Sequence, residues 1–285
     1  MAGSPTMRRR QVATELRRLR KAAGLTIEDV VQALGWNDSS KLSRIENMKI
    51  GIKSTDLRKL LDLYRVEDAG KRDELTELAA QATIRGWWQS YDSDTVPSEY
   101  KNYIGLEAAA SKIWSYEQEL VHGLFQTEAY ATAVIRKARP ADKPQEIARR
   151  VGVRLSRQEI LSRTSPAPPK VSLVLSEGAL RRAVGGPGVM RDQLLHLADQ
   201  LERPGVDVQV LPFAAGEHPG MVNSFTVLSF EEPGEQMVSV ENLTGTLALE
   251  KAKDLQAYEG AWLAIKGLAL PETDSNFLLR TYALA

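Results

Sequence analysis

Apolar side chains recur at helical spacing near the start of the chain. Four of them fall at positions i, i+4, i+7 and i+11 and share one face of a helix: Val12, Leu16, Leu19 and Ala23. Gly24 follows directly, and glycine is the residue that most often ends a helix in a left-handed conformation. The pattern predicts a first helix that stops at Gly24.

Shorter helical patterns follow, four of them before residue 83. Thr26 is predicted to cap the second helix and Gly35 to end it. Asn37 or Asp38 is predicted to cap the third helix, and Thr55 the fourth. The fifth pattern, which we expect to lead into the next domain, is carried by Leu75, Leu78, Ala79 and Ala82. The second and third helices have the order and spacing of a helix-turn-helix unit.

The third helix is predicted to have a buried side and an outward polar side. Leu42 and Ile45 point to the core, and the candidate DNA contacts are Asn37, Ser39, Ser40, Lys41, Ser43 and Arg44. Two short helices around a tight turn allow the second to lie in the major groove. There Arg44 is predicted to offer guanine a pair of donors, and Lys41 and Ser43 to hold phosphates. The alternative for any single residue is a hydrated side chain on a helix surface.

Charge is distributed unevenly along the chain. Residues 1–65 hold 14 Lys and Arg against 7 Asp and Glu, whereas the whole chain has 37 of each. The remaining residues therefore carry 23 basic against 30 acidic side chains. A basic module on an acidic body predicts a localised phosphate-binding surface rather than general attraction to nucleic acid.

Length and composition indicate a folded chain of two domains. The 285 residues, 43% of them hydrophobic, are enough for two cores. The absence of cysteine excludes disulfides and thiolate sites and is typical of a reducing compartment. No segment reaches the apolar length of a membrane span. We expect a cytoplasmic chain that does not contact a membrane.

Helical periodicity breaks between the two predicted domains. We predict a DNA-binding domain at 1–83, a linker at 84–101 and a regulatory or interaction domain at 102–285. Within the linker, Trp87 and Trp88 are better interpreted as pinning one domain against another than as an aromatic binding platform.

The second domain mixes helical and strand patterns. Residues 103–163 are predicted to be helical, with Ile113 and Trp114 on one helix face. The β-rich runs that follow are Val171–Leu175, Val206–Leu211, Phe225–Phe230, Met237–Val240 and Leu247–Leu249. Helices are predicted after the glycine-rich turn at 185–188 and from about Lys253 to Gly267. The predicted fold is an all-α helix-turn-helix N-terminal domain followed by a mixed α/β (α+β) C-terminal domain.

Catalytic chemistry is sparse in this second domain. Its histidines, which lack metal-ligand spacing, are His122, His196 and His218. Its candidate acid/base carboxylates are far apart in sequence: Glu107, Glu128, Glu177 and Glu241. One helix face, interpreted as solvated in preference to binding DNA or an acidic partner, carries Arg149, Arg150, Arg154 and Arg157. We predict no catalytic residue, no metal and no cofactor, and we expect that the chain is not an enzyme.

Residues 9–65 resemble the repressor-like helix-turn-helix family of the xenobiotic-response-element (XRE) type. The resemblance rests on the segments Leu16–Arg20, Ala23–Thr26 and Leu42–Asn47. It implies that Arg20 and Glu46 form a structural ion pair that fixes the helices. The chain departs from the family at Ile27, where a phosphate-binding Gln is frequent, and at Met48, where a Gly usually ends the recognition helix.

The rest of the chain resembles the C-terminal domain of actinobacterial, antitoxin-like transcriptional regulators. The motifs that carry this resemblance are Tyr103–Ala108, Gly123–Ala131, Arg154–Gln158, Val210–Phe213 and His218–Gly220. Such regulators are often encoded beside a small partner protein. The resemblance implies regulation and partner binding, and it implies no ligand or catalytic residue.

We expect a sequence-specific transcriptional regulator that binds a double-stranded DNA operator as a homodimer, because one short helix reads only a few base pairs. The second domain is expected to sense or dock a partner. The alternatives are a repressor that responds to a small-molecule effector, an antitoxin that acts with a small protein, and an enzyme tethered to DNA. A buried apolar cavity favours the first alternative, an exposed apolar patch the second, and converging ionisable side chains the third.

Overall fold

The computed structural model describes residues 5–83, 86–231, 235–242 and 245–284. Contacts divide the chain into two compact units. The first unit is Met1–Ser93 with Lys101–Ala109, and the second is Asp94–Tyr100 with Ala110–Ala285. Each unit has its own hydrophobic core.

The first unit is helical. Its helices begin with α1 (Pro5–Ala22), α2 (Ile27–Ala33), α3 (Lys41–Glu46), α4 (Ser54–Leu63) and α5 (Ala69–Gln81). They share one core, to which α1 contributes Leu16, α3 contributes Leu42 and α4 contributes Leu57, all fully buried. Leu75 of α5 belongs to the same core. The fifth helix is therefore part of this unit's core, beyond the connecting role that the sequence predicted for it.

The fourth helix starts earlier than its sequence predicted. Thr55 was expected as its cap, but Lys53 has the extended backbone of a cap residue, with φ −77° and ψ 146°. The Lys53 carbonyl oxygen already accepts from Leu57 N at 2.9 Å. Thr55 consequently lies inside the first turn, and its prediction as the cap is wrong.

Regular structure continues through the segment predicted as a linker. A 3-10 helix runs from Trp87 to Ser90, and α6 (Ser98–Glu107) follows. Trp88 is buried, and its Cζ2 atom lies 3.0 Å from the point where a Cβ on Gly105 would stand. Residues 84 and 85 of the predicted linker lie outside the described residues. That the tryptophans pin two domains together stays a prediction.

A mixed sheet forms the centre of the second unit. Its strands are β1 (Lys112–Glu117), β2 (Lys170–Ser176), β3 (Val206–Leu211), β4 (Phe225–Ser229), β5 (Gln236–Asn242) and β6 (Gly245–Leu249). The spatial order is β3-β2-β1-β4-β5-β6. The first three strands pair in parallel and the last three pair antiparallel, with β1 at the change of direction. Ser115 of β1 lies opposite Leu173 on one side and Thr226 on the other.

Helices flank this sheet. They are α7 (Glu128–Ala138), α8 (Pro144–Gln158), α9 (Glu177–Arg181), α10 (Pro187–Gln200), α11 (Ala252–Leu268) and α12 (Glu272–Leu284). α11 covers one face of the sheet, where Trp262 stacks on Trp114 with ring centroids 6.0 Å apart. α7 and α8 pack on each other through Ile135 and Val151.

The predicted fold class is confirmed: a helical helix-turn-helix region is followed by a mixed α/β region. Several elements differ from the sequence prediction. Ile113 and Trp114 lie on β1, so the prediction of an all-helical stretch at 103–163 is wrong there. β1 pairs on both edges, and these pairings override the local helical spacing. The helices α9 and α12 were not predicted.

Among the residues that the structure describes, no helix is both long enough and apolar enough to cross a membrane.

Candidate nucleic-acid interface

Reciprocal hydrogen bonds fix the start of α2. Thr26 N donates to Asp29 Oδ2 at 2.8 Å, and Asp29 N donates to Thr26 Oγ1 at 3.1 Å. Thr26 is the predicted cap, and this capping box confirms it. Gly35 has φ 62°, a left-handed backbone that ends the short helix and turns the chain toward α3.

The helix α3 has one buried and one accessible side. Leu42 and Ile45 lie in the core of the first unit together with Val30 of α2. Ser43 and Arg44 are only partly buried. The apolar side of α3 is thus buried in the core, and its polar and basic side chains lie on the accessible side. A helix that contacts bases in the major groove of DNA requires this arrangement.

A two-point ion pair joins α3 to α1. Arg20 Nε donates to Glu46 Oε1 at 2.7 Å, and Arg20 Nη2 donates to Glu46 Oε2 at 2.9 Å. Both side chains are at most 10% exposed. The third nitrogen, Nη1, donates to the carbonyl oxygen of Leu25 at 2.8 Å. The hydrogen bond to Glu46 raises the pKa of Arg20, so the guanidinium stays charged. This geometry places α1, the start of α2 and the end of α3 in fixed relation.

A second arginine of α1, which sequence reasoning missed, strengthens this connection. Arg17 Nη2 donates to the backbone oxygen of Glu46 at 2.6 Å and to Asn47 Oδ1 at 3.0 Å. Asn47 Nδ2 in turn donates to the backbone oxygen of Ser43 at 2.8 Å. Arg17 lies three residues before Arg20, and this helical spacing was the signal that could have revealed its shared partner.

The turn before α3 differs from its prediction. The helix begins at Lys41, and its cap is Ser40, which makes no side-chain cap bond. Neither Asn37 nor Asp38 is therefore the cap of α3. The Asp38 carboxylate instead accepts hydrogen bonds from Ser40, the residue before the helix. Asp38 Oδ1 accepts from Ser40 N at 3.0 Å and from Ser40 Oγ at 2.7 Å. Asn37, Ser39 and Ser40 are exposed on this turn rather than on the helix.

Each basic residue of α3 has an acidic partner. Arg44 donates to Asp38 Oδ2. Lys41 Nζ lies 2.9 Å from Asp56 Oδ2 and 4.0 Å from the centre of the Trp36 ring. The two cations predicted to contact DNA are thus held in place and electrically balanced before any ligand arrives.

The end of α3 uses a left-handed residue that is not glycine. Met48 has φ 60°. Met48 N donates to the Ile45 oxygen at 3.0 Å, and Lys49 N donates to the Arg44 oxygen at 2.8 Å. These bonds form the Schellman motif in which glycine is preferred. The backbone keeps the helix end that a glycine would give.

The start of α2 does not offer a basic phosphate contact. Ile27 packs against the core of the unit, and the first turn carries Glu28 and Asp29. Sequence reasoning also passed over exposed cations elsewhere in the unit. They include Lys49, Lys53, Arg58 and Lys59, none of which forms an ion pair within the described part of the chain.

Comparison with protein families covers both units. Residues 100–281, more than half of the chain, match the family described as "Domain of unknown function (DUF5753)". The chain belongs to the DUF5753 family. Residues 11–75 match a helix-turn-helix domain. No curated protein and no solved structure matches the chain. A helix-turn-helix domain ahead of a DUF5753 domain indicates DNA binding and regulation of transcription.

Arginines of α8 have structural roles in the DUF5753 domain. Arg157 is buried and donates to the Tyr100 hydroxyl. Arg154 Nη1 donates to Gln126 Oε1 at 2.8 Å, and Arg150 Nε donates to Asp142 Oδ2 at 2.8 Å. The prediction that this helix face is solvated is therefore wrong for Arg157, while Arg149 is exposed.

Candidate carboxylates of the DUF5753 domain lie on different elements. Glu177 accepts from the Tyr282 hydroxyl at 2.7 Å and from Phe213 N at 2.8 Å, which ties α9 to α12. Glu128 is in the first turn of α7, and Glu241 is exposed near the end of β5. Glu107, on α6, accepts from the Tyr103 hydroxyl at 3.1 Å.

Histidines of the DUF5753 domain sit in separate surroundings. His122 is buried, and its Nδ1 accepts from Leu124 N at 3.3 Å. His218 meets the Tyr116 ring edge-on at 5.5 Å, and burial lowers its pKa. Burial also lowers the pKa of His196 on α10.

Proposed function

We propose that this chain is a sequence-specific transcriptional regulator in which α3 reads base edges in the major groove. The observation that carries the proposal is the two-sided character of α3. Leu42 and Ile45 are at most 2% exposed, whereas the Arg44 side chain is 43% exposed at the same short helix. A rigidly anchored helix with an accessible arginine is suited to guanine, which presents two acceptors in the major groove.

The resemblance to XRE-type repressors supports the same assignment. The ion pair between Arg20 and Glu46 is the one that the resemblance implies, and its contacts are with protein groups. We assign Glu46 to positioning α3 rather than to contacting DNA.

Phosphate contacts are assigned mainly to residues outside α3. Lys41 is already engaged by Asp56, so its contribution to phosphate binding is reduced. Lys49 and Lys53 are exposed between α3 and α4, and the basic surplus of residues 1–65 is of the sign that attracts a duplex.

We assign the second domain to macromolecular contact, as homodimer interface, small-protein partner site, or both, and not to catalysis. Large apolar side chains are exposed on its last two helices: Leu263 by 65%, Phe277 by 74% and Leu284 by 85%. Exposed apolar surface favours a protein partner over a small-molecule effector. Dimerisation would extend the DNA site to two half-sites about 34 Å, or a multiple of that distance, apart.

In vitro selection from a random duplex library with the full-length chain tests the DNA assignment. We expect an enriched motif with guanine at one or more positions, and Arg44→Ala should weaken binding to it by ~1–3 kcal/mol and relax one position. Equal weakening on every sequence would assign Arg44 to a phosphate instead. Failure to enrich any motif would contradict the proposal.

Sedimentation of the full-length chain tests the dimer. We expect a dimer, and a Phe277→Ser or Leu263→Ser variant that shifts toward monomer would locate its interface. Ala257→Ser, on the exposed side of α11, is the matched control and should leave the mass unchanged. A monomeric wild-type chain that protects a single half-site would leave the second domain as a partner module alone.

A further inference from the structure

The Asp38 carboxylate is shared between the turn and the helix of the candidate interface. Its Oδ1 accepts two hydrogen bonds from Ser40, and its Oδ2 accepts from Arg44 Nη2. The bonds to Ser40 fix the carboxylate relative to the start of α3. The arginine is therefore held by a group that is itself fixed to the backbone.

Stability does not account for this ion pair. The side chains of Arg44 and Asp38 are 43% and 45% exposed, and an exposed ion pair of this kind contributes little to the free energy of unfolding. The pair lies in the unit that carries the candidate DNA contacts, and Arg44 is the residue best suited to read a base there.

The chemistry of the pair has two consequences for DNA. A guanidinium whose orientation is already set loses less conformational freedom when it donates to a base. A terminal nitrogen of an arginine carries two hydrogens, so the bond to Asp38 leaves the Nη1 and Nη2 edge able to donate to guanine. At the same time, the carboxylate cancels the charge through which Arg44 would attract any phosphate.

We propose that Asp38 is the specificity-determining residue of this interface. It holds the Arg44 guanidinium in the orientation that binds guanine, and it reduces the attraction of Arg44 to DNA of any sequence. The proposal rests on the proposed function of α3. Asp38 acts through Arg44, so it is a positioning residue. Its carboxylate also places a negative charge where a misplaced phosphate would approach.

The variant Asp38→Asn tests the proposal. Asparagine keeps an oxygen for the two bonds from Ser40 while it removes the charge, so the turn and the melting temperature should be preserved. The matched control is Asp56→Asn, which makes the same charge change beside Lys41. Full-length wild type, both variants, Arg44→Ala and the double variant Asp38→Asn/Arg44→Ala are titrated with the selected operator and with a random duplex over a range of salt.

We expect Asp38→Asn to bind the random duplex more tightly and with a salt slope steeper by about one charge. The ratio of operator to random affinity should fall about five- to tenfold, since a mobile, uncompensated arginine discriminates less between base and phosphate. Asp56→Asn should strengthen binding to both duplexes alike and leave the ratio unchanged. In the Arg44→Ala background, Asp38→Asn should not change the ratio further.

Each other result overturns a defined part of this account. An unchanged ratio in Asp38→Asn removes Asp38 from specificity, and an equal fall in Asp56→Asn makes the effect one of general charge. A fall that persists without Arg44 shows that Asp38 does not act through it. If the wild-type chain selects no motif, the proposed function itself fails and this proposal fails with it.

Discussion

Arg20 and Glu46 form a two-point ion pair, with N–O distances of 2.7 and 2.9 Å, between the first helix of the chain and the last residue of α3. The partners are 26 positions apart and both are almost fully buried. A buried pair with satisfied hydrogen bonds specifies one arrangement of helices more than it adds net stability. The orientation of α3 therefore depends on this contact.

Removal of one partner should destabilise the helical unit. Glu46→Ala leaves the Arg20 guanidinium buried without its carboxylate and should lower the free energy of unfolding by ~3–5 kcal/mol. Chemical denaturation followed by circular dichroism measures the change. Asp62→Ala, which breaks the exposed ion pair with Arg72, is the control and should lower the free energy of unfolding by less than ~1 kcal/mol. A Glu46→Ala chain of normal stability that has lost DNA binding would instead make Glu46 a direct DNA contact.

The left-handed residue at the end of α3 offers a stabilising substitution. Met48→Gly removes the steric cost of φ 60° and should raise the free energy of unfolding by ~0.5–1 kcal/mol after the greater freedom of glycine in the unfolded chain is counted. Lys49→Gly, one position later where φ is not positive, should lower it. Thermal melting of both variants decides the matter, and a loss of stability in Met48→Gly would contradict the strain argument.

In the first unit, the backbone of Gly105 lies close to the side chain of Thr6. A Cβ at this position would stand 2.0 Å from Thr6 Oγ1 and 2.5 Å from Thr6 Cβ. Gly105→Ala should therefore destabilise the unit by ~1–3 kcal/mol, although alanine normally favours a helix. Gly260→Ala on α11, where nothing lies within 4 Å of the added Cβ, should stabilise by up to ~1 kcal/mol. Equal gains from both changes, measured by denaturation, would show that Gly105 is not sterically required.

Glu117 at the end of β1 should make stability depend on pH. Burial, followed by the charge of Glu241, raises the pKa of Glu117 to about 8, above the ordinary value of 4.5. The folded state thus holds a proton that the unfolded state releases. The stability contributed by neutral Glu117 is fully present below pH 4.5 and is lost as the pH rises through about 8.

Unfolding of the wild-type chain and of Glu117→Gln across this pH range measures the effect. Between pH 5 and pH 8, the free energy of unfolding should fall by roughly 1–3 kcal/mol more in the wild type than in Glu117→Gln. Glu119→Gln, an exposed carboxylate two positions later, should behave as wild type. Identical pH profiles for wild type and Glu117→Gln would show that Glu117 titrates normally.

The helix-turn-helix region could be predicted from sequence because its signals are local. Thr26 and Gly35 bound α2 through contacts within a few residues, and the spacing of Leu42 and Ile45 fixes the buried side of α3. The pairing of Lys41 with Asp56 was not visible in sequence, because it joins positions in separate helices. The hydrogen bond that Arg44 donates to Asp38 was missed because Asp38 was interpreted as a cap.

Elements of the second domain were missed for related physical reasons. Ile113 and Trp114 of β1 continue the helical spacing of Leu106 and Ala110, and only the pairing of β1 with two neighbouring strands makes it a strand. α12 buries Ser275, Leu279 and Ala283, a narrow stripe with one large apolar residue, so its hydrophobic periodicity is weak.

Dimethyl sulfate footprinting of the selected operator tests whether α3 reads DNA through Arg44, because the reagent methylates the guanine N7 atom that a bidentate arginine covers in the major groove. We expect that the full-length wild type protects one guanine per half-site and that Arg44→Ala, still folded and still bound at higher concentration, leaves that guanine reactive. Identical protection patterns for the two proteins, or no protected guanine in the wild type, would contradict the claim that α3 reads DNA through Arg44.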